Sequence, residues 1–308
     1  MTHILLYWNH ICVLHRQEKA FLDTLAQRLL ADNIHLEVRY FGLGYPEHLS
    51  DYLARPDAIL PDLIVSADLE VFEDPEIFCK LRDSLYSVRD WMPLRSGPML
   101  DAVERGPFLL PFLSIPLVYY TRDPESCACT ALPDWNGLAL GGINNSAVKT
   151  VVKAVWERWG SRAAETLLER SLVTDMPIGA FHAVRQNRAR TALVPSLYAL
   201  RADGRETFLQ LPTGGPVLIP SYFCARTSLA QQLARRMAEE ILCPSLCAFY
   251  ASNGDLIVYP EHAQSRSLQD VSMACCPSAS WLEAMTHDDF YRLYCRKLPG
   301  AVDWKQRS

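Results

Sequence analysis

The run Leu138-Ala139-Leu140-Gly141-Gly142-Ile143-Asn144-Asn145-Ser146, continued by residues 147–159, decides how this chain is read. Its three leading apolar residues fit a short buried strand, and the two glycines, two asparagines and serine after them make a turn. Behind the turn, Val148, Val151, Val152, Val155, Trp156 and Trp159 recur at three- and four-residue spacing, which predicts a helix. Asn145 or Ser146 is its natural N-cap and Gly160 its natural stop. Strand, glycine turn and capped helix together aim unpaired backbone N–H groups and the positive end of a helix dipole at whatever lies in front. The stretch is either an ordinary βα turn or a ligand site at the end of a strand in an α/β sheet.

Upstream, Ile4-Leu5-Leu6-Tyr7-Trp8 reads as a buried strand, followed by a helix from about Glu18 to Asp32 and a second strand from Leu36 to Phe41. Such a β–helix–β unit builds parallel sheets. Residues 42–46 form a turn that falls short of any phosphate-binding glycine loop. Leu60 to Ser66 is a third strand ending in the polar step Ser66-Ala67-Asp68. The apolar run Phe108 to Tyr120, interrupted by prolines, reads as one strand leading into another. Downstream come a helix over Pro177 to Asn187 and a strand Thr191 to Val194 that ends in Pro195-Ser196-Leu197-Tyr198. Extended segments follow at Phe208 to Leu211 and Pro216 to Phe223. A helix then carries Leu229, Leu233, Met237 and Ile241 on one face, and a last helix lies near Trp281 to Lys297.

Composition narrows the function. At 308 residues the chain is long enough for one large or two medium domains. A net charge of −5 and a pI near 5.9 argue against general nucleic-acid binding. No stretch approaches a membrane span. Asn9, His10, His15 and Arg16 follow the first apolar run too soon for a signal peptide, and that run is too short to make Cys12 a lipid anchor. The expectation is a cytoplasmic protein as written, or a periplasmic or extracellular one if the N-terminus is trimmed. The ten cysteines include no paired CxxC spacing, so most read as small buried hydrophobes, with a weak soft-metal alternative for Cys127 and Cys129.

The order of these pieces resembles the solute-binding proteins of ABC transporters with the type II periplasmic-binding-protein fold, near the ferric-iron and thiamine binders. Residues 61–66, 116–120 and 141–146 carry the resemblance. It implies an α/β chain of two lobes with a ligand cleft between them: lobe one at 1–117 and 221–308, lobe two at 118–220. It also implies a small-molecule or ion ligand, an ABC transporter permease as partner, no cofactor, no nucleic acid and a monomer.

A cleft binder needs convergent polar groups, and strand ends supply them. The candidates from lobe one are Trp8, Asn9, His10, Ser66 and Asp68; from lobe two, Asn144, Asn145, Ser146, Ser196 and Tyr198; and near the crossings, Tyr119 and Tyr222. Helix N-termini with Ser and Asn suit an oxyanion, a carboxylate or a phosphate. Tyrosines could instead ligate a hard metal ion, as in the ferric binders. The alternatives are a cytoplasmic ligand sensor or carrier, and an enzyme on the same architecture. No nucleophile–base pairing and no HExxH motif supports the enzyme, so a non-enzymatic binder is expected.

Overall fold

The computed structural model describes residues 1–42, 44, 45, 47–262, 273–303 and 305. Leu43 and Pro46 of the expected turn lie outside them. Among the described residues the strands are β1 (Thr2–Asn9), β2 (Ile34–Phe41), β3 (Leu63–Ser66), β4 (Leu110–Thr121), β5 (Ala139–Gly141), β6 (Leu172–Thr174), β7 (Thr191–Pro195), β8 (Phe208–Gln210), β9 (Val217–Ala225) and β10 (Ile257–Val258). They run in the order β2-β1-β3-β9-β4-β7-β5-β6, with β8 and β10 pairing with β4 off this path.

That order contains one plan used twice. In the first half β2, β1 and β3 are parallel and β9 joins β3 antiparallel. In the second half β6, β5 and β7 are parallel and β4 joins β7 antiparallel. The two antiparallel strands then pair with each other, Leu117 against Val217 through Leu110 against Phe223. The result is the expected two-lobed α/β architecture, with β4 and β9 as its shared spine.

The proline-interrupted run at 108–120 proves to be one continuous strand, buried along all twelve residues of β4. Its register shifts between Pro111 and Leu113, and such an irregularity lets a residue without an N–H donor sit within a sheet. The helix behind the glycine turn spans Ser146–Trp159 and stops at Gly160, whose φ of 89° is costly for other residues. Val148, Val151, Val152 and Val155 are each at most 2% exposed. Their burial contributes roughly 6–12 kcal/mol before the entropy of ordering is counted.

The expected last helix is two helices, Ala279–Ala284 and His287–Lys297. Thr286 separates them, because its hydroxyl accepts from the Asp289 N–H and starts the second helix. This C-terminal region does not pack on lobe one alone. Ser278 bonds to Glu157, and Arg296 and Lys297 pair with Glu165 and Glu169 on the second-lobe helices 146–159 and Ser161–Arg170.

Candidate functional site

In a parallel sheet every strand delivers its C-terminal end to the same side, and the two lobes here turn those sides toward each other. A cleft of about 120 Å³ lies between them, lined by residues at or after the ends of β1, β2, β3, β5 and β7 and by Pro177 beyond β6. Its floor is Ile115 and Ile219 on the paired spine strands. That volume holds a ligand of roughly ten non-hydrogen atoms.

Seven of the twelve expected residues line the cleft: Asn9, His10, Asp68, Asn144, Asn145, Ser146 and Tyr198. The other five do not, and each has a physical reason. Trp8 and Tyr222 lie within strands and point into the core, where the Tyr222 hydroxyl donates to the Val103 carbonyl at 2.5 Å. The Tyr119 hydroxyl accepts from the Trp135 indole at 2.7 Å. The Ser66 hydroxyl accepts from the Asp68 N–H at 2.9 Å and so shapes the turn that presents Asp68. Ser196 donates to the Gly254 carbonyl. The sequence reading missed His48, after β2, and the apolar Ile11, Val13, Pro177 and Leu197. The strand-end rule that found Asn9 and Asp68 would also have pointed to His48.

His10 borders the cleft with its side chain buried behind the wall. Its side chain is fully buried, with Nδ1 2.7 Å from Glu18 Oε2. Glu18, in the first turn of helix His15–Ala31, also accepts from the Tyr250 hydroxyl at 2.6 Å and the Ile11 N–H at 3.1 Å. A carboxylate ringed by donors fixes the imidazole hydrogen on Nδ1. The ring also packs against Tyr40 and Tyr45, at 4.6 and 5.5 Å, in a cluster of three in which the two tyrosine rings lie 6.0 Å apart. Its Nε2 is buried and has no hydrogen-bond partner among the described residues, an arrangement that costs free energy unless something binds there.

Across the cleft from β1 stands the helix 146–159. Its N-cap residue Asn145 makes no side-chain capping bond, so the first turn keeps its backbone donors uncapped. Ser146 spans the lobes, donating to the Ala67 carbonyl at 2.9 Å and accepting from the Leu69 N–H at 3.1 Å. Asn144 is turned toward the C-terminal segment, bonding to Gly300 and Val302. Asp68 accepts from the N–H and hydroxyl of Ser50. Burial pushes its carboxyl up from the ordinary range; His48 and the Ser50 bonds pull the other way, and nearby Glu70 adds to the rise.

Among the described residues no three His, Cys, Asp or Glu side chains stand where they could hold a metal ion together. The nine cysteines whose side chains are described are free, and Cys129 is exposed while Cys127 is buried. No helix among the described residues is long and apolar enough to cross a membrane.

No protein-family model and no curated protein matches the chain. Solved structures do. Iron-bound HitA from Pseudomonas aeruginosa superimposes with a TM-score of 0.69 at 15% identity, covering 97% of this chain and 100% of that one. A ferric binding protein from Campylobacter jejuni gives 0.67 at 11% identity, covering 96% and 99%. The periplasmic binding protein P5PA gives 0.65 at 10% identity, covering 98% and 100%. At these identities the likeness establishes the two-lobed type II periplasmic-binding-protein fold.

Proposed function

We propose that the chain is a solute-binding protein that holds a small anionic ligand, a carboxylate or phosphate compound, in the cleft between its lobes. The observation that carries this reading is the convergence of hydrogen-bonding side chains from both lobes on one cleft, Asn9 and His48 from one side and Asn145 and Tyr198 from the other. The uncapped first turn of helix 146–159 faces the same space with further donors and a positive dipole end. Ile115, Ile219, Leu197 and Pro177 leave room for an apolar body behind the anionic group.

Two further observations favour this over the alternatives. The solved neighbours include ferric-iron binders, but the cleft here offers Tyr198 without the other expected tyrosines and lacks a cluster of ionisable ligands among the described residues. A hard cation therefore finds fewer donors than an anion does. The Ser146 hydroxyl donates to a carbonyl rather than to a base, so it is not activated as a nucleophile. An ABC transporter permease is the partner that suits such a binder, and a periplasmic or extracellular location suits that partner.

Native mass spectrometry with elemental analysis on protein from its own host tests the reading, followed by thermal-shift titration with phosphate, acetate and ferric iron. A stoichiometric organic or phosphate anion, or stabilisation by the anions alone, is the expected result. Stoichiometric iron bound without an anion would overturn it.

A further inference from the structure

The cleft wall carries a charge that an anion alone would not welcome. Among the described residues Asp68 is the one carboxylate in the lining, and no lysine or arginine lines the cleft. Lys149, one turn into helix 146–159, is taken up elsewhere. Glu70 holds its Nζ at 2.5 Å and the Tyr291 hydroxyl at 2.7 Å, in a buried joint between the lobes. The other ionisable lining groups are His48 and His10, the latter tied through Nδ1 to Glu18. A bare anion would therefore enter a site whose one fixed charge is negative, and like charges brought together in a cleft oppose binding.

Asp68 is held in place from several sides. It is 8% exposed, and the Ser50 N–H at 2.9 Å and the Ser50 hydroxyl at 2.8 Å both bond to Oδ2. No bond from the described residues goes to Oδ1. The Ala67 carbonyl and the Leu69 N–H, on either side of Asp68, both bond to Ser146, the first residue of helix 146–159. The carboxylate and the uncapped donors of that helix thus stand side by side on the wall. Ser50 supplies hydrogen bonds but no positive charge, and a buried carboxylate without a cation is costly. Burial raises the Asp68 carboxyl, which nearby His48 only partly counters and Glu70 adds to. A cation delivered by the ligand would offset that cost.

We propose that the ligand is a small zwitterion, an aliphatic amino acid whose ammonium meets Asp68, whose carboxylate meets the first turn of helix 146–159, and whose side chain lies on Ile115 and Ile219. The proposal rests on the anion-binding reading of the cleft and adds the opposite charge to it. Because Ser146 holds the chain around Asp68 against the helix start, the two ligand charges must lie close together, about one or two carbons apart. Such a ligand has no net charge: its ammonium pairs with Asp68 while its carboxylate faces the positive end of the helix. Leucine, at about nine non-hydrogen atoms, fits the cleft volume of about 120 Å³.

Calorimetric titration of the full chain with valine, leucine and isoleucine, each beside its desamino acid and its decarboxylated amine, tests the assignment. At least one amino acid should bind about tenfold to a hundredfold more tightly than either of its halves, the worth of one buried bond to a charged group. Asp68→Asn, which keeps an acceptor for Ser50, should bring that amino acid down to the level of its desamino acid. A desamino acid that binds the wild-type protein as tightly as its amino acid overturns the zwitterion and leaves the anion reading standing. That comparison needs no variant, so it decides the matter even if Asp68→Asn fails to fold. An amine that binds as tightly as its amino acid overturns both readings. Binding by none of the compounds overturns the amino-acid assignment, while native mass spectrometry still tests the anion reading by itself.

Discussion

Replacing Lys149 by methionine tests the buried joint most directly. The substitution keeps the length of the side chain and removes its charge, leaving the Glu70 carboxylate, about 12% exposed, without its ammonium partner. Breaking a buried pair on one side costs about 3–5 kcal/mol. Glu70 keeps the Tyr291 hydroxyl as a donor, which places the loss at the lower end, about 3 kcal/mol. For a chain of this size that corresponds to a fall in Tm of roughly 5 °C. Removing the whole network behaves differently. Lys149→Met with Glu70→Met strands the Tyr291 hydroxyl, so the neutral replacement must include Tyr291→Phe. An apolar substitute for a buried charge network is often neutral or stabilising, so the triple variant should lie within about 1 kcal/mol of wild type. Urea unfolding of the single and triple variants decides the matter. A triple variant as unstable as Lys149→Met, or a single variant costing under about 1 kcal/mol, would refute the claim that an unpaired Glu70 is what hurts.

Three further outcomes follow from the same geometry. His10→Ala should destabilise the fold by about 3 kcal/mol or more, measured by urea unfolding, because it leaves the buried Glu18 carboxylate without its imidazole partner. Burial pulls the His287 imidazole down, but its bonds to Asp74 and Asp303 outweigh that and hold it above the ordinary value. A raised native pKa means stability that is full below about pH 6.5 and is lost as pH rises through the native value, with stacked Tyr291 and the charges of Lys305 and Glu73 as neighbours; His287→Gln should flatten that part of the stability–pH profile. Gly141→Ala should cost about 1–3 kcal/mol in urea unfolding, because the added Cβ would sit 2.5 Å from the Pro177 Cα and 2.8 Å from two carbonyl oxygens.

Much of the fold was legible because periodicity and punctuation are local signals. Val148 to Trp159 repeated at helical spacing, Gly160 closed the helix, and Leu36 to Tyr40 alternated as a strand should. The candidate site was legible to the extent that strand ends mark clefts, which is how Asn9, His10, Asp68 and Asn145 were found. What a strand end cannot say is which way a side chain turns. Trp8 lies one residue before the last of β1 and faces the core, while Asn9, its neighbour, faces the cleft. Ser66 and Ser196 were spent on backbone bonds that only the folded turns create. Nor could spacing reveal Glu18 beneath His10, since Tyr250, its third donor, lies 232 residues away. Spacing was equally silent on the buried charges of the same helix, because Lys149 and Lys153 find their partners in Glu70 and Glu73, far earlier in the chain.

The order of strands in the sheet also fixes an order of events on the ribosome. β9 lies between β3 and β4, yet it emerges about 150 residues of synthesis after β3, from Ser66 to Val217. The strands β4 to β8 can pair with one another as soon as they are made, but β3 and β4 must each wait for β9 with one row of backbone donors and acceptors open. An open strand edge invites pairing with other chains. Both halves are therefore completed by the same late strand, and the nascent chain carries two open edges until β9 emerges.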